Sequence, residues 1–159
     1  MNTPTDRIQD IGPQPQSFDI ERVTIHNDDY RSVVWSGRYL QVTLMSIPVG
    51  GEIGLEVHPE TDQFLRLEAG IGWAQMGATK DKFDFEKEVS DGSCVLVPAG
   101  MWHNITNTGT EPMQVYAIYA PAHHMPNKVQ ATQAIALADT KDIPAAWSEQ
   151  PAHVSDKHG

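Results

Sequence analysis

The segment Gly92-Ser-Cys-Val-Leu-Val-Pro98-Ala-Gly100-Met-Trp-His103-Asn-Ile-Thr-Asn107 decides the fold. Residues 94–97 are typical of a short β-strand, because they are rich in β-branched side chains and are bounded by turn residues. Pro98-Ala-Gly100 is a turn signal, and residues 102–106 form a second candidate strand after it. The segment therefore predicts two short strands joined by a tight turn.

The same alternation of short strands and turns extends in both directions, over residues 21–122. The predicted strands lie at residues 31–36, 39–47, 54–58, 63–68, 72–76, 83–89, 94–97, 102–106 and 113–119. Turn signals rich in Gly, Pro and Asp separate them, and no helix is predicted within this zone. Strands at this spacing predict an all-β sandwich or barrel, in which closed or doubled sheets protect the strand edges.

A second informative segment is Gly51-Glu-Ile-Gly-Leu-Glu56-Val-His58-Pro-Glu-Thr-Asp-Gln63-Phe-Leu-Arg-Leu-Glu-Ala-Gly70. A strand places residues two apart on the same face, so Glu56 and His58 share a side. Gln63 follows a turn predicted at residues 59–62 and can return beside them on the next strand. The segment therefore predicts a carboxylate, an imidazole and an amide close together.

The two segments resemble the paired motifs of the cupin superfamily. The second motif, G-x5-P-x-G-x2-H-x3-N, is matched at every fixed position, by Gly92, Pro98, Gly100, His103 and Asn107. The resemblance covers roughly residues 31–120, and it implies a double-stranded β-helix, a jelly-roll barrel of two antiparallel sheets. It extends to small one-domain bacterial cupins with a Glu-x-His first motif, which are loosely named after mannose-6-phosphate isomerase. That name is weak support for an activity, because function resides in the site and not in the fold.

The first motif, G-x5-H-x-H-x(3–4)-E-x6-G, is altered at two ligand positions. Glu56 replaces the first His and Gln63 replaces the Glu, so the ligand set implied by the resemblance becomes Glu56, His58, Gln63 and His103. Two imidazoles and one carboxylate are typical of non-haem Fe(II) sites, and they also suit Zn²⁺, Mn²⁺ and Ni²⁺. Gln63 is either a weak neutral ligand or a hydrogen-bonding partner of bound water. A barrel that binds no metal is the alternative.

Two functions follow from this site. The first is a metal-dependent enzyme of the dioxygenase, isomerase or lyase type, acting on a small organic substrate by Lewis-acid chemistry inside the barrel. The alternative is a barrel that binds or senses a small molecule, such as a sugar or another metabolite, without catalysis. No catalytic residue is assigned.

Further residues carry weaker expectations. The predicted substrate pocket comprises Met45, Leu65, Trp73, Tyr116 and Ile118. His123 and His124 follow the last strand beside prolines, and we interpret them as a solvated pair. Neither expectation follows from a motif.

Composition limits the choice of partners. The chain of 159 residues fits one domain, and 21 acidic against 11 basic residues give a net charge of −10. This balance disfavours nucleic acids and anionic membranes as partners, because both require clustered Lys and Arg. No signal peptide or membrane span is readable, and the lone Cys94 favours the reducing cytoplasm.

The chain divides into three parts. Residues 1–20 are predicted to be a flexible arm, residues 21–122 the barrel, and residues 123–159 a tail with a short helix over residues 129–138. Because cupin barrels commonly pair, the resemblance implies a homodimer in which part of residues 1–25 crosses to the neighbouring subunit.

Overall fold

The computed structural model describes residues 7–139, which form two antiparallel sheets. The elements are α1 (Ile20–Ile25), β1 (Arg31–Ser36), β2 (Gln41–Ile47), β3 (Asp62–Ala69), β4 (Ile71–Gly77), β5 (Phe85–Ser90), β6 (Cys94–Val97), β7 (Trp102–Asn107), β8 (Met113–Ala120), β9 (Val129–Gln130) and α2 (Gln133–Ala138). One sheet has the order β6-β3-β8-β2-β1-β9, and the other has the order β5-β4-β7. The all-β jelly-roll prediction is confirmed.

The main core lies between the two sheets. Strands contribute alternate residues to it, such as Leu65 and Leu67 of β3 and Ala74 and Met76 of β4, and nearly all of this surface is removed from water. Each fully buried Leu, Val or Met side chain stabilises the fold by about 1.5–3 kcal/mol. This packing holds the two sheets together.

Most predicted strands are present, with their ends shifted by at most two residues. The predicted strand at residues 54–58 is wrong: only isolated bridges join Glu52 to Thr106 and Glu56 to His103. Gly54 lies between these bridges with a φ of +99°, a conformation outside the β region, which interrupts a regular strand.

Part of the predicted flexible arm packs on the chain's own barrel. Ile8 and Phe18 contact an apolar cluster of Val23, Val34 and Leu44 on the outer face of the larger sheet. The expectation of no helix within residues 21–122 is also wrong, because α1 occupies residues 20–25. This helix begins after Asp19, whose side chain accepts a hydrogen bond from the Arg22 N–H. The outer face of the sheet is thereby covered.

The beginning of the tail returns to the barrel. β9 pairs with β1, and α2 follows the N-cap Thr132, so the predicted helix exists but begins at Gln133 instead of residue 129. The rest of the predicted tail, residues 140–159, lies outside the described residues. Within residues 7–139, no helix is long and apolar enough to cross a membrane.

Candidate metal centre

Backbone pairing brings the two motif segments together. His103 is the second residue of β7, and its N–H and C=O exchange hydrogen bonds of 2.9 and 3.1 Å with Glu56. The His58 carbonyl accepts a hydrogen bond of 2.8 Å from the N–H of Gly100, in the turn between β6 and β7. The β6–β7 turn therefore fixes the position of both histidines.

The side chains of Glu56, His58 and His103 converge on one point. Oε1 of Glu56 lies 3.2 Å from Nε2 of His58 and 3.4 Å from Nε2 of His103. One donor atom from each residue lies within 4.8 Å of the others. Both imidazoles are almost completely buried, and Glu56 keeps 28% exposure. The carboxylate is thus the side of this cluster nearest to solvent.

A backbone contact orients one imidazole. Nδ1 of His103 lies 3.1 Å from the carbonyl oxygen of Met101, which can only accept a hydrogen bond. Nδ1 therefore carries a proton. When Nε2 is protonated as well it donates to Glu56, and when Nε2 is deprotonated its lone pair is available to a metal ion beside the carboxylate. A second group that fixes the tautomer of a metal-binding histidine is a usual part of such sites.

The electrostatics of the cluster favour an ionised Glu56. Burial alone would raise the pKa of this carboxyl, but hydrogen bonds and charge from His103 and His58 lower it more strongly. The net result is a pKa well below the usual range of a glutamic acid. Glu56 is therefore a carboxylate, and a good ligand, at neutral pH.

These distances fit the donor shell of a metal ion. Zn²⁺ and similar ions bind imidazole nitrogen and carboxylate oxygen at about 2.0–2.2 Å, so neighbouring ligand atoms lie roughly 2.8–3.6 Å apart, from octahedral to tetrahedral geometry. The two distances from Glu56 Oε1, 3.2 and 3.4 Å, fall in this range. The carboxylate oxygen is therefore already at ligand spacing from each imidazole nitrogen.

Gln63, the fourth predicted ligand, points into the barrel. It is 3% exposed, and it pairs across β3 and β8 with Tyr119, whose ring lies 5.6 Å from that of His58. Within residues 7–139, neither its amide oxygen nor its amide nitrogen has a hydrogen-bond partner. An unsatisfied buried amide costs about 1–3 kcal/mol, which favours a bound polar group beside it. Direct ligation by Gln63 stays a prediction.

The predicted substrate pocket is only partly an interior surface. Met45 and Leu65 are fully buried members of the core between the sheets. The prediction that Trp73 lines the pocket is wrong. Its side chain is 36% exposed on the outer face of β4, where Nε1 donates a hydrogen bond to Glu86.

The prediction that Tyr116 and Ile118 line the pocket is also wrong. Side chains alternate along β8, and these two point away from the interior. Val115, Ala117 and Tyr119 of this strand belong to the core, so their neighbours face the opposite side. Tyr116 packs instead with the outer apolar cluster.

His123 and His124 are not the solvated pair that we expected. His124 is 2% exposed, and the ring of His123 lies 4.1 Å from the ring of His58. The chain turns back over the barrel after β8 and so brings His123 against a candidate ligand. The sequence carries one signal for this contact, the pair of imidazoles directly after the last barrel strand.

Comparisons with known proteins agree with this architecture. A family model described as "Cupin domain" matches residues 43–119. YrkC of Bacillus subtilis is 47% identical over 131 residues, which cover 82% of this chain and 70% of that protein. The crystal structure of BH2720 from Bacillus halodurans is similar with a TM-score of 0.82 and 50% identity, covering 83% of this chain and 100% of that one.

A more distant structure shares the fold alone. TT1209 from Thermus thermophilus has a TM-score of 0.56 and 19% identity, and the match covers 67% of this chain and 98% of that one. The barrel fold is thus shared by two proteins whose sequences have little identity.

Proposed function

This chain belongs to the cupin family, and we propose that it binds one divalent transition metal through Glu56, His58 and His103 and acts as a metal-dependent enzyme. The observation that carries the proposal is the convergence of two buried imidazoles on one ionised carboxylate, at separations that suit a shared ion. A small organic molecule inside the barrel is the proposed substrate.

The donor set supports a particular range of metals. Two imidazoles and one carboxylate, with further positions open, are the ligands of non-haem Fe(II) oxygenases, while Zn²⁺, Mn²⁺ and Ni²⁺ accept the same atoms. The bound ion would act as a Lewis acid towards an oxygen atom of the substrate or towards O₂. Dioxygenase chemistry is the leading proposal if the metal is iron, and isomerase or lyase chemistry otherwise.

The protein residues have separate tasks in this proposal. Glu56 supplies the negative charge that attracts the cation, and the Met101 carbonyl holds His103 in the tautomer that binds. The unpartnered amide of Gln63 would hydrogen-bond to a water or to a substrate oxygen. Nearby His58 is held between His103 and His123, which limits the rotation of its ring.

A binding or sensor barrel without catalysis is the alternative. One observation favours it: Glu56 contacts both imidazoles directly, so the three side chains hold one another in place without an ion. A metabolite such as a sugar would then occupy the interior. The alternative predicts a folded protein that contains no metal.

Metal analysis separates the two functions. We would measure metal content by mass spectrometry on untagged protein, for the native chain, Glu56→Ala and the control Glu60→Ala. Glu60 is an exposed carboxylate in the turn before β3, so its loss tests a general effect of charge. Near-stoichiometric metal in the native and control proteins, absent from Glu56→Ala, supports the proposal. Native protein that stays metal-free after incubation with Fe²⁺, Mn²⁺, Ni²⁺ and Zn²⁺ rejects it.

Assembly and location complete the proposal. We propose a homodimer, because cupin barrels commonly pair. We also propose a cytoplasmic location with no nucleic-acid or membrane partner, on the grounds of the acidic composition and the single cysteine. Residues 7–25 contact their own barrel, and a swapped arrangement would need a second copy to make the same contacts. Light scattering after size-exclusion chromatography would reject the dimer if the protein were monomeric at micromolar concentration.

A further inference from the structure

An open cavity of about 410 Å³ lies at the end of the barrel where β7 begins. It is placed between β5 and β6, which are edge strands of different sheets. Its lining consists of Met76, Gly77, Ala78, Asp84, Phe85, Leu96, Pro98 and Met101. Small-molecule sites usually measure roughly 300–1,000 Å³, so the cavity has the size of a ligand site.

Two of the lining residues are direct neighbours of His103. Met76 pairs with His103 across β4 and β7, and paired residues of antiparallel strands point to the same face with Cβ atoms about 4.5–5.5 Å apart. Met101 provides the carbonyl oxygen that contacts Nδ1 of His103. The cavity therefore adjoins His103, although none of the three candidate ligands lines it.

The lining is unusually apolar for an open surface. Leu96 is 64% exposed and Phe85 is 44% exposed, although burial of such side chains would stabilise the protein. The two methionines add polarisable thioethers, which make favourable contacts with aromatic rings. These features favour an apolar and flat occupant.

The charges around the cavity exclude other classes of ligand. Among residues 7–139, Asp84 is the only charged side chain in the lining, and its Oδ1 already lies 3.5 Å from Nζ of Lys82. No Lys, Arg or His of the described part of the chain lines the cavity, so a phosphate or sulfate group would find no cationic partner in this lining. A sugar would leave most of its hydroxyl groups without partners.

We propose that this cavity binds an uncharged aromatic ring of the substrate and directs an attached oxygen atom towards Glu56, His58 and His103. The inference rests on the proposed function, since the oxygen is recognised by the metal. It makes the substrate a small aromatic molecule with an oxygen donor next to the ring, and it makes the gap between β5 and β6 the entrance.

Two hydroxamates test this inference on the metal-loaded protein. Benzohydroxamate and acetohydroxamate carry the same metal-binding group and differ in the phenyl ring. We expect benzohydroxamate to bind about tenfold more tightly or better, because the ring leaves water on entering the cavity. Isothermal titration would measure both dissociation constants. Equal affinities would overturn the inference while leaving the metal centre intact.

Matched variants assign the preference to the cavity. Leu96→Gln should reduce the affinity ratio of the two hydroxamates to about threefold or less. Leu137→Gln makes the same change at a residue of α2 that is 75% exposed and outside the lining, and it should leave the ratio unchanged. A ratio that is equal in both variants would place the ring elsewhere and overturn the inference.

A second measurement needs no metal. With ¹³C-methyl-labelled methionine, benzyl alcohol should shift the Met76 and Met101 signals, whereas xylose should not. Met125, 39% exposed and outside the cavity, serves as the internal control. Unchanged Met76 and Met101 signals at saturating benzyl alcohol would reject the apolar site. Shifted signals in a protein that takes up no metal would reject the proposed function and retain the apolar cavity.

Discussion

Two buried polar clusters in this protein differ in how completely their groups are paired. The first ties the arm to the barrel, and we call it the arm network: Asp10, Ser36, Gln41 and Asn127. Oδ1 of Asp10 accepts hydrogen bonds from the N–H groups of Gly12 and Ser36, and Oδ2 accepts from the Ser36 hydroxyl and the Asn127 N–H. Both carboxylate oxygens are thus fully used.

Gln41 completes the arm network. Its Nε2 donates to the Ser36 hydroxyl and to the His124 carbonyl, and its Oε1 accepts from the N–H groups of His123 and His124. All four hydrogen-bonding positions of the amide are occupied. This one side chain holds residues 123 and 124, directly after β8, against the barrel.

The candidate metal centre shows the opposite pattern. Among residues 7–139, the amide of Gln63 has no partner, and neither does Nδ1 of His58. Buried polar groups are nearly always paired in native proteins, so unpaired ones require an explanation such as a bound ion, water or ligand. The comparison teaches that the groups of the arm network satisfy one another, whereas the candidate metal centre leaves polar groups available to a bound ion, water or ligand.

The largest expected effect is in the arm network. Gln41→Leu should lower the free energy of unfolding by about 3–5 kcal/mol, because it leaves buried backbone N–H groups without partners. Urea denaturation followed by circular dichroism would measure the change. A loss below about 1 kcal/mol would contradict the structural role of this network.

Metal binding should give the next largest effect. At a free metal concentration of 100 times Kd, the bound ion stabilises the native state by about 2.7 kcal/mol. The thermal midpoint should therefore rise on addition of metal and fall again with a chelator. Glu56→Ala should abolish this response and Glu60→Ala should retain it. The same rise in all three proteins would indicate that the metal binds elsewhere.

Acid titration gives a smaller effect on the metal-free protein. Because the pKa of Glu56 is lower in the folded state than in the unfolded state, the carboxylate adds stability above the unfolded value of about 4.3. That contribution is lost as the pH falls through the folded pKa. The stability difference between the native protein and Glu56→Gln should therefore shrink at acid pH. A difference that grows below pH 4 would contradict the lowered pKa.

The sequence predicts most strands well, because turn residues and β-branched runs are local signals. The exception at residues 54–58 arises from Gly54, whose left-handed backbone permits bridges and no regular ladder. Glu56 and His58 nevertheless reach the same cluster, since the bridge to His103 depends on long-range pairing. The ligand positions could be predicted from motif spacing, and the local conformation could not.

Which side chains of β8 point into the barrel could not be predicted, for a different reason. Residues 115–119 are apolar or aromatic on both faces, and the arm and α1 cover the outer side of this sheet. No polar face reveals which alternate residues point inward, so Tyr116 and Ile118 were assigned to the wrong side. The position of His123 depends on hydrogen bonds to Gln41, more than 80 residues earlier in the chain, and no local pattern records such a contact.

We expect the smallest change in the free energy of unfolding from Gln63→Leu, and this variant tests the comparison of the two clusters most directly. Gln63→Leu makes the same substitution as Gln41→Leu, at a buried amide without partners. In the metal-free protein, the free energy of unfolding should change by less than about 1 kcal/mol or should rise, because an unsatisfied amide is replaced by an apolar group of similar size. Urea denaturation in the presence of a chelator would measure it. A loss as large as that of Gln41→Leu would mean that the Gln63 amide is paired, and the distinction between a structural and a binding cluster would fail.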